Sequence, residues 1–417
     1  MRIHKRLLSF TLAAILAFAL TACQSQGSSA ASGNNGGSQS GGNASGEAAP
    51  VTIKLWGAQE DQVMLQEMAN GYMETAPNVK VELGVTSEAD AATRFMEDPS
   101  AAADVFSFAS DQIRVLVKAG GLYQVTRNKD AIIAANMPSA IEASTLDGNL
   151  YAYPMTADNG YFLYYDKSVL TDEDIQSLDG ILAKCSATNK KFFMDVSNGF
   201  YIASFFLGAG LTLTVDENEN QVCDWNNDTG VAVGESIKTL TADPSFLTGD
   251  DNVLKGNIGT TIAAGVSGIW NSTDIQEILG ENFGAAKLPT FTVNGQQKQM
   301  GGFAGFKLVG VNSSTKAPLE AMGLAEYLTS EASQIKRYQD RQQGPANINA
   351  AASADVQANL PLKALGEQYA FASSQKDVLG SYWGPADAFG TALEAKDYSR
   401  GMKDSLDELV RQVTQPQ

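Results

Sequence analysis

The chain has 417 residues, 44% hydrophobic and 18% charged, a globular composition long enough for two domains. Its 47 acidic side chains outnumber 29 basic ones, and an acidic body repels polyanions, which excludes nucleic-acid binding built on phosphate neutralisation. The single histidine is His4, so Ser-His-Asp and Cys-His nucleophilic sites and histidine-ligated zinc or iron are excluded, and among common hydrolytic designs only paired carboxylates survive.

Arg2, Lys5 and Arg6 open the chain, and an apolar block runs from Leu7 to Ala22 before stopping at Cys23. A spanning helix needs about 20 apolar residues, so residues 1–22 read as a secretory signal peptide. Leu20-Thr21-Ala22-Cys23 resembles the lipobox of bacterial lipoproteins, whose cysteine is acylated after cleavage; two acyl chains suffice for stable anchoring where one does not. Loss of the signal leaves 26 basic against 47 acidic side chains, a charge of −21. Residues 24–50 are rich in Gly, Ser, Asn and Ala and offer nothing to bury, so the segment reads as a flexible tether. As a random coil it spans roughly 25–30 Å.

From Val51 the hydrophobic period alternates between two and 3.6. VTIKLW places Val51, Ile53 and Leu55 on one strand face, and Met64, Met68 and Tyr72 then fall at helical spacing until Pro77. NVKVELGV alternates again, Glu88–Glu97 is helical, DVFSF is a third strand, and Ser110 is placed to cap the helix that ends on Gly120-Gly121. This rhythm predicts an α/β domain with a largely parallel sheet. After Leu146, YAYP and GYFLYYDKSVL carry the chain towards a second α/β body: KKFFMDV as a strand, GFYIASFFLGAG as a helix, LTLTVDENENQVCDW as a hairpin, TTIAAGV as a strand and STDIQEILG as a helix capped by Ser272 or Thr273. GAAKLPTF and GFAGFKLVGVN are extended, and from Ala317 the chain is mainly helical. No phosphate-cradling glycine loop occurs. Asp216, Asn218 and Asn220 alternate like calcium ligands, but Gln221 and Asn227 stand where such a loop needs glycine and glutamate, so a solvated hairpin tip is predicted and no metal or cofactor is expected. Spacing leaves open whether Cys185 and Cys223 form a disulfide or are two buried thiols.

Three stretches, DVFSFASDQIRVLVKAGGLYQV (104–125), YPMTADNGYFLYYDKSVL (153–170) and SGIWNSTDIQEILGENFGAAKLPT (267–290), occur in an order that resembles family-one extracellular solute-binding proteins of ABC importers. GGFAGFKLVGVN, GPANINAAAS and SYWGPADAFGTAL add to the likeness, which is closest to the maltose/maltodextrin branch. It implies a periplasmic-binding-protein-like α/β fold of two lobes with a helical tail. The N-lobe would take residues 51–156 and about 307–344, and the C-lobe about 160–301 and 348–417. A ligand would sit in the cleft, with the lobes hinging shut over it.

Sugars present C–H faces that pack on aromatic rings and hydroxyls that donate to carboxylates. The four tryptophans are therefore the natural candidates. By motif, Trp270 and Trp383 match stacking positions, whereas Trp56 closes a strand and Trp225 receives no role. Asp111 and Asp158 match hydroxyl-binding acids, although Asp111 suits the first turn of a helix equally well. Phe108 stands where relatives carry a larger aromatic, and Gln112 where they carry arginine. Glu60 and Asp61 follow the first strand, where open α/β sheets bind ligands, with Asp61 replacing a lysine. Tyr201, or Phe200 beside it, matches an aromatic from the C-lobe helix.

The resemblance thus implies a monomeric lipoprotein, anchored by Cys23 on the outer face of the cell membrane, that passes oligosaccharide to permease subunits. Two rivals stay open at this point. One is a surface glycosidase using Asp111 and Asp158. The other is a receptor for another sugar or for a polyamine, the latter favoured by an acidic cleft without aromatics.

Overall fold

The computed structural model describes residues 49–415; the signal peptide, Cys23 and nearly all of the tether lie outside the described residues. Among those described, no helix is long and apolar enough to cross a membrane. Two sheets organise the rest. The first is built from β1 (Val51–Gly57), β2 (Val79–Val85), β3 (Val105–Ala109), β4 (Tyr153–Asn159), β10 (Gly302–Val311) and β11 (Ala372–Ser374), in the order β11-β10-β3-β1-β2 with β4 also on β10. The second is built from β5 (Tyr161–Asp166), β6 (Lys191–Phe193), β7 (Phe246–Leu247), β8 (Ile262–Gly268) and β9 (Phe283–Ala286), in the order β7-β6-β8-β5-β9.

The parallel expectation holds for β1, β2 and β3 and for β6, β7 and β8. It fails for β10, which runs antiparallel to β3, and for β5, antiparallel to β8. The cause is connectivity. β1, β3 and β8 run towards the cleft, whereas β5 and β10 begin at the hinge as the chain arrives from the other lobe, so they run away from it. Crossings occur at Gly160 between β4 and β5, and at Gly301 ahead of β10. A third lies past Gln342, where Ala157 donates to the Gly344 carbonyl at 2.9 Å. The tail, assigned by the sequence to the second lobe alone, returns to the first sheet as β11, with Gly302 opposite Ala372.

Each sheet buries its alternating face. Ile53 and Leu55 of β1 pack with Met64, Leu65, Met68 and Tyr72 of the helix Gln62–Thr75. In the second lobe, Tyr161, Leu163 and Tyr165 of β5 join Phe205, Phe206, Trp225, Tyr382 and Phe389, and the terminal helix Met402–Val413 adds Leu406, Leu409 and Val413. At about 25 cal/mol per Å² of apolar surface, such side chains each stabilise by roughly 1.5–3 kcal/mol before entropy is counted. Trp56 faces away from its strand's core side: it is half-buried, with the Arg94 guanidinium 5.0 Å above its ring. Cys185 and Cys223 are free, buried thiols, and burial pushes them up to about 11 and about 12.

Neither predicted serine or threonine cap forms. Ser110 lies inside a 3-10 turn, and its hydroxyl accepts from the Phe306 N–H at 3.3 Å. Asn271 precedes the helix Ser272–Leu279, and Ser272 donates to Gln342 instead, at 3.1 Å. In both places the hydroxyl is drawn to a neighbouring segment that the sequence pattern alone does not bring near.

Candidate binding cleft

β8 ends at Gly268 and turns through Ile269–Asn271, which projects Trp270 from the second lobe. The indole folds back across Gly268, where a Cβ would stand 2.1 Å from its ring carbons, so only glycine admits this arrangement. Trp270 Nε1 donates to Asp251 Oδ2 at 2.8 Å, and Asp251 Oδ1 accepts from Ser267 at 2.9 Å. A carboxylate with both oxygens engaged thus fixes the ring while leaving it half-buried. The Asn198 side chain caps the helix Gly199–Gly208 by accepting from the Phe200 N–H at 2.9 Å. Phe200 then lies 6.3 Å from Trp270 and stacks on Phe303 at 5.7 Å, and Phe303 meets Trp383 edge-on at 6.0 Å. Trp270, Phe200 and Trp383, each half-buried, are joined into one continuous arc through the buried ring of Phe303. Tyr201 is buried behind it, edge-on to Tyr161 at 5.1 Å, so Phe200 is the member of that pair on the arc.

The first lobe and the hinge supply the acids. Glu60 is exposed at the end of β1. Asp61 is buried, with both oxygens 3.0 Å from Gln343 Nε2, and with Arg337 Nη1 and Arg341 Nε each 3.5 Å away. Its charge is committed to the helix Glu331–Arg341, and Arg341 in turn donates to the Trp270 carbonyl at 3.3 Å. Asp111 follows β3, half-buried, and accepts from Gln375 at 3.0 Å. Burial pushes its carboxyl up to about 7, against hydrogen bonds from its own N–H, Trp383 and Gln375. Asp158 is wholly buried at the first crossing, accepts from the Gly344 N–H at 2.5 Å, and is raised by burial against the pull of the Lys307 charge. Phe108 is a core side chain, sealed among Phe106, Leu122 and Gly310, and presents no ring face to the cleft. Gln112 is turned the same way, bonding Ala92, Glu88 and Ala89.

At one rim the hairpin Leu213–Val215/Gln221–Cys223 reaches from the second lobe to the first. Its tip residue Glu219, held at φ 60°, meets Arg114 and Lys118 at 2.6 Å each. Asp216 closes the tip by accepting from the N–H groups of Asn218 and Asn220, the solvated turn that the sequence implied. A cavity of about 880 Å³ lies elsewhere, lined by Met137, Pro345, Leu362 and Tyr369, on the face of β10 that carries Ala304 and Phe306. Phe303 and Lys307, on the alternate face, look towards the aromatic arc. No cluster of three or more metal-ligating side chains occurs among the described residues.

Sequence reasoning missed Phe303, Lys307, Glu88, Asp251, Gln375 and the Arg337–Arg341 pair. Apolar GGFAGFKLVGVN did contain an isolated lysine, a signal that could have been followed.

Two sheets joined by repeated chain crossings at one hinge, with Trp270 and Trp383 near the carboxylates of Asp111 and Asp158, make a two-lobed fold. The family model for bacterial extracellular solute-binding proteins matches residues 67–364, and the chain belongs to that family. A solved structure described as "with acarbose" is 30% identical over 88% of this chain and 99% of its own, with a TM-score of 0.81. The maltodextrin binding protein MalE1 from L. casei BL23, without ligand, is 25% identical over 88% of this chain and 100% of its own, with a TM-score of 0.72. The Thermus thermophilus maltotriose binding protein, bound with maltotriose, is 20% identical over 87% and 99%, a likeness of fold alone at a TM-score of 0.75. No curated protein matches. The matched family and these neighbours are binding proteins, not enzymes, which sets the glycosidase rival aside.

Proposed function

We propose that this protein captures a maltodextrin-type oligosaccharide between its lobes and delivers it to the permease of an ABC importer, held at the membrane by acylated Cys23. The observation that carries the reading is the arc Trp270–Phe200–Phe303–Trp383, with the Asp111 carboxylate accepting from Trp383 at one end. Aromatic faces pack on sugar C–H surfaces, and carboxylates accept from hydroxyls without needing a proton of their own.

The test is a thermal-shift and calorimetric panel of maltose, maltotriose, maltotetraose, acarbose and spermidine. A bound sugar at 100 times its dissociation constant stabilises the fold by about 2.7 kcal/mol, several degrees for a chain of this size. A shift with spermidine and none with any sugar overturns the reading. For the anchor, Cys23→Ser should abolish metabolic fatty-acid labelling, and a variant that still takes the label refutes lipidation at this position.

A further inference from the structure

Lys307 lies in β10 a few residues beyond the hinge, and its side chain is almost wholly buried. An ammonium in such a place is costly unless it is paired and hydrogen-bonded. Its one ion-pair partner among the described residues is Glu88 Oε2 at 3.6 Å, too long for a hydrogen bond, while Glu88 Oε1 accepts from Ser107 at 3.1 Å. The Trp270 ring centroid is 5.9 Å from the same nitrogen. Asp158, at the crossing beside β10, shows the complementary deficit: Oδ2 accepts from Gly344, but Oδ1 is buried with no partner. Thr156 stands near enough to favour the ionised carboxyl, yet its hydroxyl is also without a properly aligned partner.

An under-used donor and an unused acceptor therefore lie on neighbouring strands beside the stacking ring, Lys307 standing opposite Thr156 two residues from Asp158, with no direct ion pair between them. A hydroxyl placed between them accepts from the ammonium and donates to the carboxylate. An anionic ligand group fits poorly, because Glu88, Asp158, Asp61 and Glu60 already surround the lysine. A cationic ammonium group has no lone pair with which to accept from the lysine.

We propose that Lys307 is a ligand-contacting, specificity-determining residue of the cleft, pairing with Asp158 to read one hydroxyl of the sugar stacked on Trp270. This rests on the sugar reading above. Calorimetry with maltotriose tests it on wild type, Lys307→Met, and Lys307→Met with Glu88→Gln. The last variant removes the lysine together with its ion-pair partner and so leaves Glu88 no unpaired charge. Both variants should bind at least tenfold more weakly, with the melting temperature of the ligand-free double variant close to wild type. Asp158→Asn added to Lys307→Met should cost little more, because the two groups share one hydroxyl. A lysine of structural value only lowers the melting temperature and leaves affinity within about twofold, which overturns the proposal, as do fully additive losses. Failure of wild type to bind maltotriose overturns the sugar reading, and this inference falls with it. Equal binding by wild type and both variants overturns the inference alone.

Discussion

Two groups of aromatic rings in the second lobe differ in how their polar atoms and faces are used. Trp225 is fully buried, stacked on Phe206 with centroids 4.3 Å apart and planes 4° from parallel, and Tyr382 closes its edge at 5.5 Å. Its Nε1 has no partner, a cost the surrounding burial outweighs. Trp270 is the reverse: its Nε1 is satisfied by Asp251, and part of its ring is left uncovered. A protein stabilises a core by covering faces and prepares a site by fixing a ring's orientation while leaving a face free. Both groups are built from the same kinds of ring. What separates them is where the unused surface lies.

The largest effect expected from this contrast is on Trp225. Trp225→Ala should cost about 3–5 kcal/mol through lost burial and a cavity, seen as a much lowered midpoint in denaturant, while the folded fraction binds sugar with unchanged affinity. Near-wild-type stability in that variant would erase the distinction drawn here.

Next come Trp270→Ala and Trp383→Ala. Loss of an anchor in a site typically costs about 2 kcal/mol, some thirtyfold in affinity, so each variant should bind maltodextrin at least tenfold more weakly with only a small change in ligand-free melting temperature. Asp251→Asn, which leaves the ring in place but weakens its tether, should fall between these variants and wild type.

A smaller effect separates Asp111 from the buried acids. Burial pushes its carboxyl up to about 7 in the folded state, above the ordinary value, so the folded state holds a proton that the unfolded state has lost. Stability of the ligand-free protein therefore falls as pH rises from about 4 through about 7. Sugar hydroxyls favour the ionised form, so affinity should rise between about pH 6 and about pH 8, and Asp111→Asn should flatten that profile. A flat wild-type profile would remove Asp111 from the site.

The smallest effect belongs to the rim. Glu219 bridges the lobes through Arg114 and Lys118, and partly exposed pairs contribute roughly 0.2–1 kcal/mol each. Glu219→Gln should weaken sugar binding by less than about fivefold at low salt, and the difference should vanish in high salt as screening takes over. A salt-independent loss would mean that the hairpin acts through packing.

How much of this was legible in the sequence varies by feature. The strands and most helices were, because burial on one face imposes periods of two and 3.6, as in Ile53/Leu55 and Met64/Met68/Tyr72. The solvated tip at Asp216 followed from a ligand pattern lacking its glycine and glutamate. Trp270, Trp383, Asp111 and Asp158 were named from motifs, and the structure gathers them at the faces where the lobes meet. Phe108 and Tyr201 were named in the same way and are buried, because which face of a strand or helix turns inwards depends on its tertiary neighbours. The failed caps at Ser110 and Ser272 share that cause.

An acidic two-body α/β chain, the absence of histidine chemistry beyond residue 4, and the local periods that shape each element can all be read along the chain. These follow from composition and from contacts between near neighbours along the chain. Only the tertiary structure decided which strands run antiparallel at the hinge, that Phe200 rather than Tyr201 joins the arc, and that Lys307 stands beside Asp158 and Trp270. Those outcomes depend on groups tens to hundreds of positions apart in sequence, brought together where the chain crosses between the sheets, and a burial pattern records only that a residue is covered, not by what.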